Sequence, residues 1–190
     1  MPGQQRHIAV VPAKLKSRRC KDKNWKEFSQ GQSLAELAFR RAFGCGYFDV
    51  SVLSIDFPKS KVMFKDYGNY VVRRRPRLLG KGSLDVLLDA LEYVGAEEHD
   101  VYALIQPTSP FVSKETLWRV LQQVKLNNST CVTVNPAYKP SGGVYAGYVG
   151  FLRQYKSLYR PFVVPLVLDW MESIDIDYDY DFEIARCLRE

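Results

Sequence analysis

Between residues 8 and 134, short apolar runs alternate with longer amphipathic patterns, and this alternation restricts the fold more than any other feature of the sequence. The apolar runs predict strands over Ile8–Val11, Asp49–Ile55, Val101–Ile105 and Cys131–Val134. Strands that are apolar throughout, rather than at alternate residues, are typical of a parallel sheet covered on both faces. The sequence therefore predicts an α/β fold, with a mainly parallel sheet and helices on both faces.

The amphipathic patterns between these runs predict three helices, each with a serine at its start. Ser33, followed by Glu36, has the spacing of a capping box, and Gly44 ends that pattern. Ser83 and Ser113 are predicted to cap the second and third helices. Leucine and valine recur at helical spacing in each pattern, so one stripe of each helix should pack on the sheet.

Basic and acidic residues are concentrated in different parts of the chain. Residues 14–26 contain seven lysines and arginines, and residues 169–190 contain eight of the 21 acidic residues. A second basic cluster consists of Arg73, Arg74, Arg75 and Arg77. Such a separation suits a site that binds a polyanion together with a cation, but it is equally typical of solvated surfaces.

The predicted sheet gives these charged segments a common location. In open parallel sheets, ligands bind in the crevice beyond the carboxyl ends of the strands. The basic loop, residues 12–24, leaves the first strand, and the QPTSP loop, residues 106–110, leaves a later one. We therefore expect both loops to border one crevice, together with the acidic segment, residues 172–181.

Composition narrows the class of protein. The chain has no apolar stretch long enough to span a bilayer, and its N-terminus, MPGQQRH, lacks the apolar run of a secretory signal. We therefore expect a cytoplasmic protein that does not bind membranes. Four widely separated cysteines and two histidines predict neither a zinc site nor a disulfide framework.

Four segments together resemble one family of enzymes. They are VPAKLKSRRCKDKN (11–24), RRRPRLLGKGSLDVLLDALEYV (73–94), ALIQPTSPF (103–111) and ESIDIDYDYDFEIA (172–185). In order and approximate separation they are similar to the acylneuraminate cytidylyltransferases, which make CMP-sialic acid and related CMP-activated sugars. The resemblance implies a nucleotide-diphospho-sugar-transferase-like fold. It also implies transfer of CMP from CTP to an acidic, nonulosonic acid-like sugar, with Mg²⁺ present and pyrophosphate released.

The resemblance also implies roles for particular residues. Five residues of the basic loop match the family's triphosphate-binding pattern: Lys14, Ser17, Arg18, Lys23 and Asn24. Further implied contacts are Arg75 and Ser83 to the nucleotide, Gln106, Thr108 and Ser109 to the sugar, and Asp175 and Asp177 to the metal. The resemblance implies catalytic roles for three of them, Arg18, Lys23 and Asp177.

The residue types suit this chemistry. Phosphoryl transfer depends mainly on positioning and on neutralising negative charge, which lysine and arginine can do. Asp175 and Asp177 are two residues apart, so in an extended segment they share a face, and Mg²⁺ commonly binds one or two carboxylates together with substrate phosphates. Asp179 and Asp181 are expected instead at the start of the last helix, where carboxylates cap free N–H groups.

The chain departs from the family pattern in two places. Leu15 and Lys16 replace paired glycines, whose backbone N–H groups would approach phosphate closely. Only residues 135–142 separate Val134 from the next apolar run, so we expect residues 1–190 to form one cytidylyltransferase-like domain without the family's long dimerisation excursion. A homodimer would then use a non-standard interface. These departures favour an alternative, a catalytically degenerate protein of this fold that acts as a binding or scaffold protein for RNA or another polyanion.

Overall fold

A seven-stranded sheet lies at the centre of the part of the chain that the computed structural model describes, residues 3–57, 70–75, 78 and 80–189. The elements of these residues are β1 (His7–Ala13), β2 (Glu27–Ser29), β3 (Gln32–Ser33), α1 (Leu34–Phe43), β4 (Val50–Ile55), β5 (Val71–Arg73), α2 (Ser83–Tyr93), β6 (Val101–Ile105), α3 (Lys114–Asn127), β7 (Thr130–Val134), β8 (Pro140–Tyr148), α4 (Val149–Tyr155), β9 (Val163–Val167) and α5 (Asp179–Arg189). The strand order is β5-β4-β1-β6-β8-β7-β9, and β2 pairs with β3 in a separate antiparallel ribbon.

The sheet is mainly parallel, with one reversed strand. β1 runs parallel to β4 and β6, β4 parallel to β5, and β7 parallel to β9, whereas β8 is antiparallel to both of its neighbours. The reversal follows from the short connection after Val134, because a tight turn can join only antiparallel neighbours. Asn135 closes that turn, with its N–H donating to the carbonyl of Lys139 at 2.8 Å. The predicted α/β class is confirmed.

Helices cover both faces of the sheet. Ala9 and Val11 of β1 belong to the core under α1 and α3, whereas Ile8 and Val10 belong to the core under α2 and α4. Because successive residues of β1 enter different cores, the strand is apolar throughout. Within the described residues, none of the helices has the length and apolar character needed to cross a membrane.

A third hydrophobic cluster connects the last helix with the basic loop and the residues that follow it. Its buried members include Cys20, Phe28, Leu34, Ile176, Phe182 and Ala185. The rings of Phe28 and Phe182 meet edge to face, with centroids 5.3 Å apart. The cluster therefore brings the end of the chain next to the basic loop, although the two are far apart in the sequence.

Two of the three predicted helix caps are confirmed. Ser33 and Ser113 each accept a backbone N–H three residues on, at 3.3 and 3.0 Å. The prediction for Ser83 is wrong, because Gly82 is the N-cap of α2 and Ser83 is already helical. The Ser83 hydroxyl instead accepts a hydrogen bond from the side-chain amide of Gln106 at 3.1 Å. α2 therefore begins without a side-chain cap.

Candidate active site

A cleft of about 350 Å³ opens at the predicted edge of the sheet, beyond the carboxyl ends of β1 and β6. The basic loop, the QPTSP loop and the acidic segment all contribute to its walls. Its cationic lining residues are Lys14, Arg19, Lys23, Arg74 and Lys81. Its other polar lining residues include Asn24, Ser83, Gln106, Thr108 and Asp177. The cleft thus combines several positive charges with a carboxylate, in a volume typical of a small-molecule site.

Asp177 is the point at which the acidic segment meets the basic loop. Its Oδ1 lies 3.0 Å from the guanidinium of Arg19 and 3.5 Å from Nζ of Lys23. Lys23 is buried, and its ammonium group also donates to the carbonyl of Ile176. The two charged segments, which the sequence places at opposite ends of the chain, are therefore in direct contact at the cleft.

The first turn of α5 fixes the backbone of the acidic segment. The Asp181 carboxylate accepts the N–H groups of Asp177 and Tyr178, at 2.9 and 2.8 Å. Asp179 is the first residue of α5. The predicted placement of Asp179 and Asp181 at the start of the last helix is confirmed, and there the carboxylates also meet the positive end of the helix dipole.

Asp175 lies between the QPTSP loop and β8, and unlike Asp177 it is not among the residues that line the cleft. Its side chain bonds to the hydroxyl of Thr108, its Oδ2 packs against Gly142, and the N–H of Ile176 donates to the Thr108 carbonyl at 2.9 Å. Partial removal from bulk water raises the pKa of Asp175, and the charge of Asp177 adds to the rise, against the bond from Thr108. Ile176 points into the third cluster, so the two flanking carboxylates turn the other way.

The backbone of the basic loop is anchored where the family carries glycines. The N–H of Leu15 donates to the carboxylate of Asp56 at 2.7 Å, and so does not point at the cleft. The carbonyl of Lys14 accepts from the side chains of Asn24 and Trp25, both at 3.1 Å. Lys14 and Asn24 therefore reach the cleft from an anchored loop.

Not every predicted residue reaches the cleft. Arg18 is exposed, and its neighbour Arg19 lines the cleft instead. Ser17 and Ser109 have buried hydroxyls without a hydrogen-bond partner among the described residues, and neither lines the cleft. The structure therefore does not bring either hydroxyl to the cleft.

The second basic cluster contributes a different arginine from the predicted one. Arg75 pairs with Asp89 and Glu92 on α2 and is not a lining residue. Arg74 lines the cleft, and its buried guanidinium donates to the hydroxyl and the carbonyl of Ser54 at 3.2 and 3.0 Å. Burial lowers the pKa of Arg74. Arg77 lies outside the residues that the structure describes.

Sequence reasoning missed Arg19, Arg74 and Lys81. Arg74 directly follows β5, and the rule that sites form beyond the carboxyl ends of strands would have identified it had β5 been predicted. No pattern in the sequence distinguishes Arg19 from Arg18. Only the folded loop shows which of the two guanidinium groups reaches Asp177.

Asp175 and Asp177 can contribute to a divalent-ion site. Within the described part of the chain, no group of three or more His, Cys, Asp and Glu side chains could hold a metal ion by itself. An ion here would take these two carboxylates and complete its shell with phosphate oxygens and water, as Mg²⁺ commonly does. Burial raises the pKa of Asp175, the charge of Asp177 adds to the rise, and a bound cation would oppose both effects. The donor set therefore fits a hard, oxygen-binding ion.

Comparison with known proteins relates this cleft to one family. A family model described as Cytidylyltransferase matches residues 8–152. The chain is also 25% identical to the CMP-N,N'-diacetyllegionaminic acid synthase of Legionella pneumophila over 225 aligned residues, which cover 97% of each protein. The match to the family model includes the basic loop and the QPTSP loop.

Solved structures share the fold at lower identity. CMP:2-keto-3-deoxy-manno-octonic acid synthetase complexed with CTP superimposes with a TM-score of 0.77 at 14% identity, over 97% of this chain and 98% of that one. A Mycobacterium tuberculosis protein solved in complex with manganese has a TM-score of 0.65 at 17% identity, over 95% of this chain and 98% of that one. These similarities confirm the predicted nucleotide-diphospho-sugar-transferase-like fold.

Proposed function

The chain belongs to the cytidylyltransferase family, and from this premise we propose that it transfers CMP from CTP to an acidic sugar of the nonulosonic acid class. The observation that carries the proposal is the direct contact of Lys23 and Arg19 with Asp177 at the cleft. The Legionella pneumophila relative, whose name joins CMP to such an acidic sugar, supports the choice of substrate class. Magnesium, a cytoplasmic location and a homodimer with a non-standard interface stay predictions.

The reaction would proceed by attack of a sugar hydroxyl oxygen on the α-phosphorus of CTP. The bond from that phosphorus to the oxygen that bridges the β-phosphate breaks, pyrophosphate leaves, and the hydroxyl proton passes to solvent. Negative charge grows on the leaving oxygens, so cations that are already in place stabilise the transition state. Lys23 and Arg74 meet this requirement, because burial and hydrogen bonds hold both at the cleft.

The other residues of the proposed site divide between substrate and metal. Lys14 and Asn24 would bind the triphosphate from the anchored loop. Gln106 and Thr108, at the other wall, would bind the sugar, and the contact of Gln106 with Ser83 lies where nucleotide and sugar would meet. The carboxylates of Asp175 and Asp177 would hold a divalent ion, proposed to be Mg²⁺, which when bound neutralises phosphate oxygens.

Replacement of the metal-site carboxylate tests the proposal. Asp177→Ala should lower the rate of Mg²⁺-dependent pyrophosphate release from CTP and an acidic sugar by about 100-fold or more, because a preorganised charge at the phosphates is lost. Pyrophosphate can be followed by a coupled phosphate assay, with thermal melting to verify folding. Asp179→Ala is the matched control, since Asp179 is exposed and two residues further on, and its activity should change little.

An inactive protein would also be informative. Absence of turnover over a broad panel of acidic sugars, together with no calorimetric binding of CTP in the presence of Mg²⁺, would contradict the proposed function. The alternative of a scaffold for RNA or another polyanion would then take its place. The family match and the relative do not favour that alternative.

A further inference from the structure

The two cations that contact Asp177 differ in how firmly they are held. The side chain of Lys23 is 11% exposed and is bound to the Ile176 carbonyl as well as to Asp177. The side chain of Arg19 is 58% exposed, although its guanidinium lies closer to the same oxygen of Asp177. Lys23 is therefore a fixed part of the cleft wall. The guanidinium of Arg19 is already largely in solvent, so it can move away from Asp177 without leaving a buried charge unpaired.

Arg19 rests on an aromatic platform at the rim of the cleft. Its guanidinium carbon lies 5.4 Å from the centroid of the Tyr178 ring. Tyr178 stacks in turn on Tyr180, with centroids 5.3 Å apart and planes 7° apart. A cation over a ring face gains a modest attraction at exposed sites, so the two rings favour the position in which Arg19 contacts Asp177.

The carboxylate that Arg19 contacts is one of the two proposed metal ligands. A carboxylate oxygen that is occupied by a guanidinium is a weaker metal ligand, because the two cations compete for the same lone pairs. A triphosphate entering the cleft offers Arg19 a more highly charged partner, and arginine binds phosphate well through its planar fork. The same side chain can therefore bind the carboxylate in the empty cleft and the phosphate in the filled one.

Resting on the proposed function, we propose that Arg19 is a positioning residue that exchanges partners. In the nucleotide-free protein it shields Asp177 from divalent ions. When CTP enters, it moves to the phosphates and releases the Asp177 carboxylate to the ion. Metal and nucleotide would thus bind together more readily than the metal binds alone, which is positive coupling between two ligands.

The exchange predicts effects of opposite sign on the two ligands. Exposed ion pairs are weak, so loss of Arg19 should strengthen binding of Mn²⁺ alone by only about two- to fivefold. Loss of a charge-assisted contact with phosphate should weaken binding of CTP alone by about fivefold or more. A purely structural role would weaken both.

The test measures Mn²⁺ and CTP separately on the full-length chain. Free Mn²⁺ is followed by electron paramagnetic resonance and CTP by calorimetry without metal, for wild type and Arg19→Gln, at about 0.15 M salt to limit long-range effects of charge. Lys21→Gln is the matched control, because Lys21 is exposed in the same loop and its replacement removes the same charge. Tyr178→Leu changes no charge, and should raise Mn²⁺ affinity about twofold by removing the platform.

The possible outcomes distinguish failure of the Arg19 exchange from failure of the proposed function. Tighter Mn²⁺ binding with weaker CTP binding in Arg19→Gln, and neither in Lys21→Gln, supports the exchange. Equal Mn²⁺ affinity in wild type and Arg19→Gln, or equal changes in both charge variants, overturns the exchange and leaves the proposed function standing. If Asp177→Ala binds Mn²⁺ and CTP as the wild type does, both the exchange and the proposed site are overturned.

Discussion

At Gly142, the backbone of β8 passes directly against the carboxylate of Asp175. A Cβ atom at this position would lie 2.8 Å from Oδ2 of Asp175, closer than real Cβ contacts allow. Gly142 also has a φ of +78°, a conformation that side chains make costly. Glycine is therefore required here for two reasons: the backbone has a positive φ, and a side chain would displace Asp175, a proposed metal ligand.

A comparison of Gly142→Ala with Gly46→Ala separates the effect of backbone strain from the effect of displacing Asp175. Gly46 has a φ of +79° but no atom within 4 Å of a built Cβ, so its replacement strains only the backbone. Both variants should lose about 1 kcal/mol of stability in urea denaturation. Only Gly142→Ala should also weaken Mn²⁺ binding, because it displaces Asp175. Equal Mn²⁺ affinity in the two variants would contradict a role for Asp175 at the metal.

Between elements, a buried ion pair joins the amino ends of β1 and β6. The Asp100 side chain is 1% exposed and accepts from the guanidinium and the N–H of Arg6, at 2.7 and 2.8 Å, and from the N–H of Glu97 at 2.9 Å. Burial raises the pKa of Asp100, but these three donors more than offset it, and the net result is a pKa below the usual value. The ionised form is thus favoured in the folded protein.

Asp100→Ala should lower the free energy of unfolding by about 3 kcal/mol at neutral pH, since the guanidinium and N–H of Arg6 and the N–H of Glu97 lose their charged acceptor. Because the folded pKa is depressed, this stabilisation is complete above the unfolded pKa of about 4 and is lost as the pH falls through the folded value. Urea denaturation at neutral pH and near pH ~3 should therefore show a difference that shrinks in acid. Glu183→Gln, at an exposed ion pair, should cost under about 1 kcal/mol. If Asp100→Ala loses the same stability at both pH values, the pKa of Asp100 is not depressed by folding, and the proposed stabilisation by its ionised form is wrong.

At the scale of the whole molecule, the cleft depends on a cluster that lies outside the two main cores. The third cluster packs Cys20, within the basic loop, and Phe28, just after it, against Ile176 and Phe182 from the end of the chain. Nζ of Lys26 lies 3.7 Å from the centroid of the Phe182 ring. The wall that carries Arg19, Lys23 and Asp177 is therefore held mainly by this cluster, and we expect it to open more readily than the sheet.

Phe182→Ala should lower stability by about 3 kcal/mol, as expected for a large-to-small change in a packed cluster. Hydrogen exchange should accelerate in residues 14–29 and 172–189 and much less in β1 and β6. Leu121→Ala, in the main core, is the matched control, with a similar loss of stability but faster exchange in the central strands as well. Exchange that rises uniformly in Phe182→Ala would show that the cluster is not a separate unit.

Particular elements show how far the sequence can be interpreted. β6 has the predicted bounds. β4 is one residue shorter than predicted, β7 is one residue longer, and β1 is three residues longer. β8, α4 and β9 were not predicted, because their apolar residues are interrupted by glycine, tyrosine and proline, and their burial depends on the neighbours they meet. The cap at Ser83 was wrong because Gln106, distant in the sequence, offers its hydroxyl another partner.

By itself, the sequence determined the α/β class, the location of the cleft at the carboxyl ends of the strands, and the pairing of a basic loop with acidic residues. These features follow from apolar periodicity and from residue types, which act locally. Only the tertiary structure decided that Arg19 and Arg74, rather than Arg18 and Arg75, line the cleft. Neighbouring arginines have the same charge and length, so the choice depends on which carboxylates and carbonyls the fold brings within reach of each guanidinium.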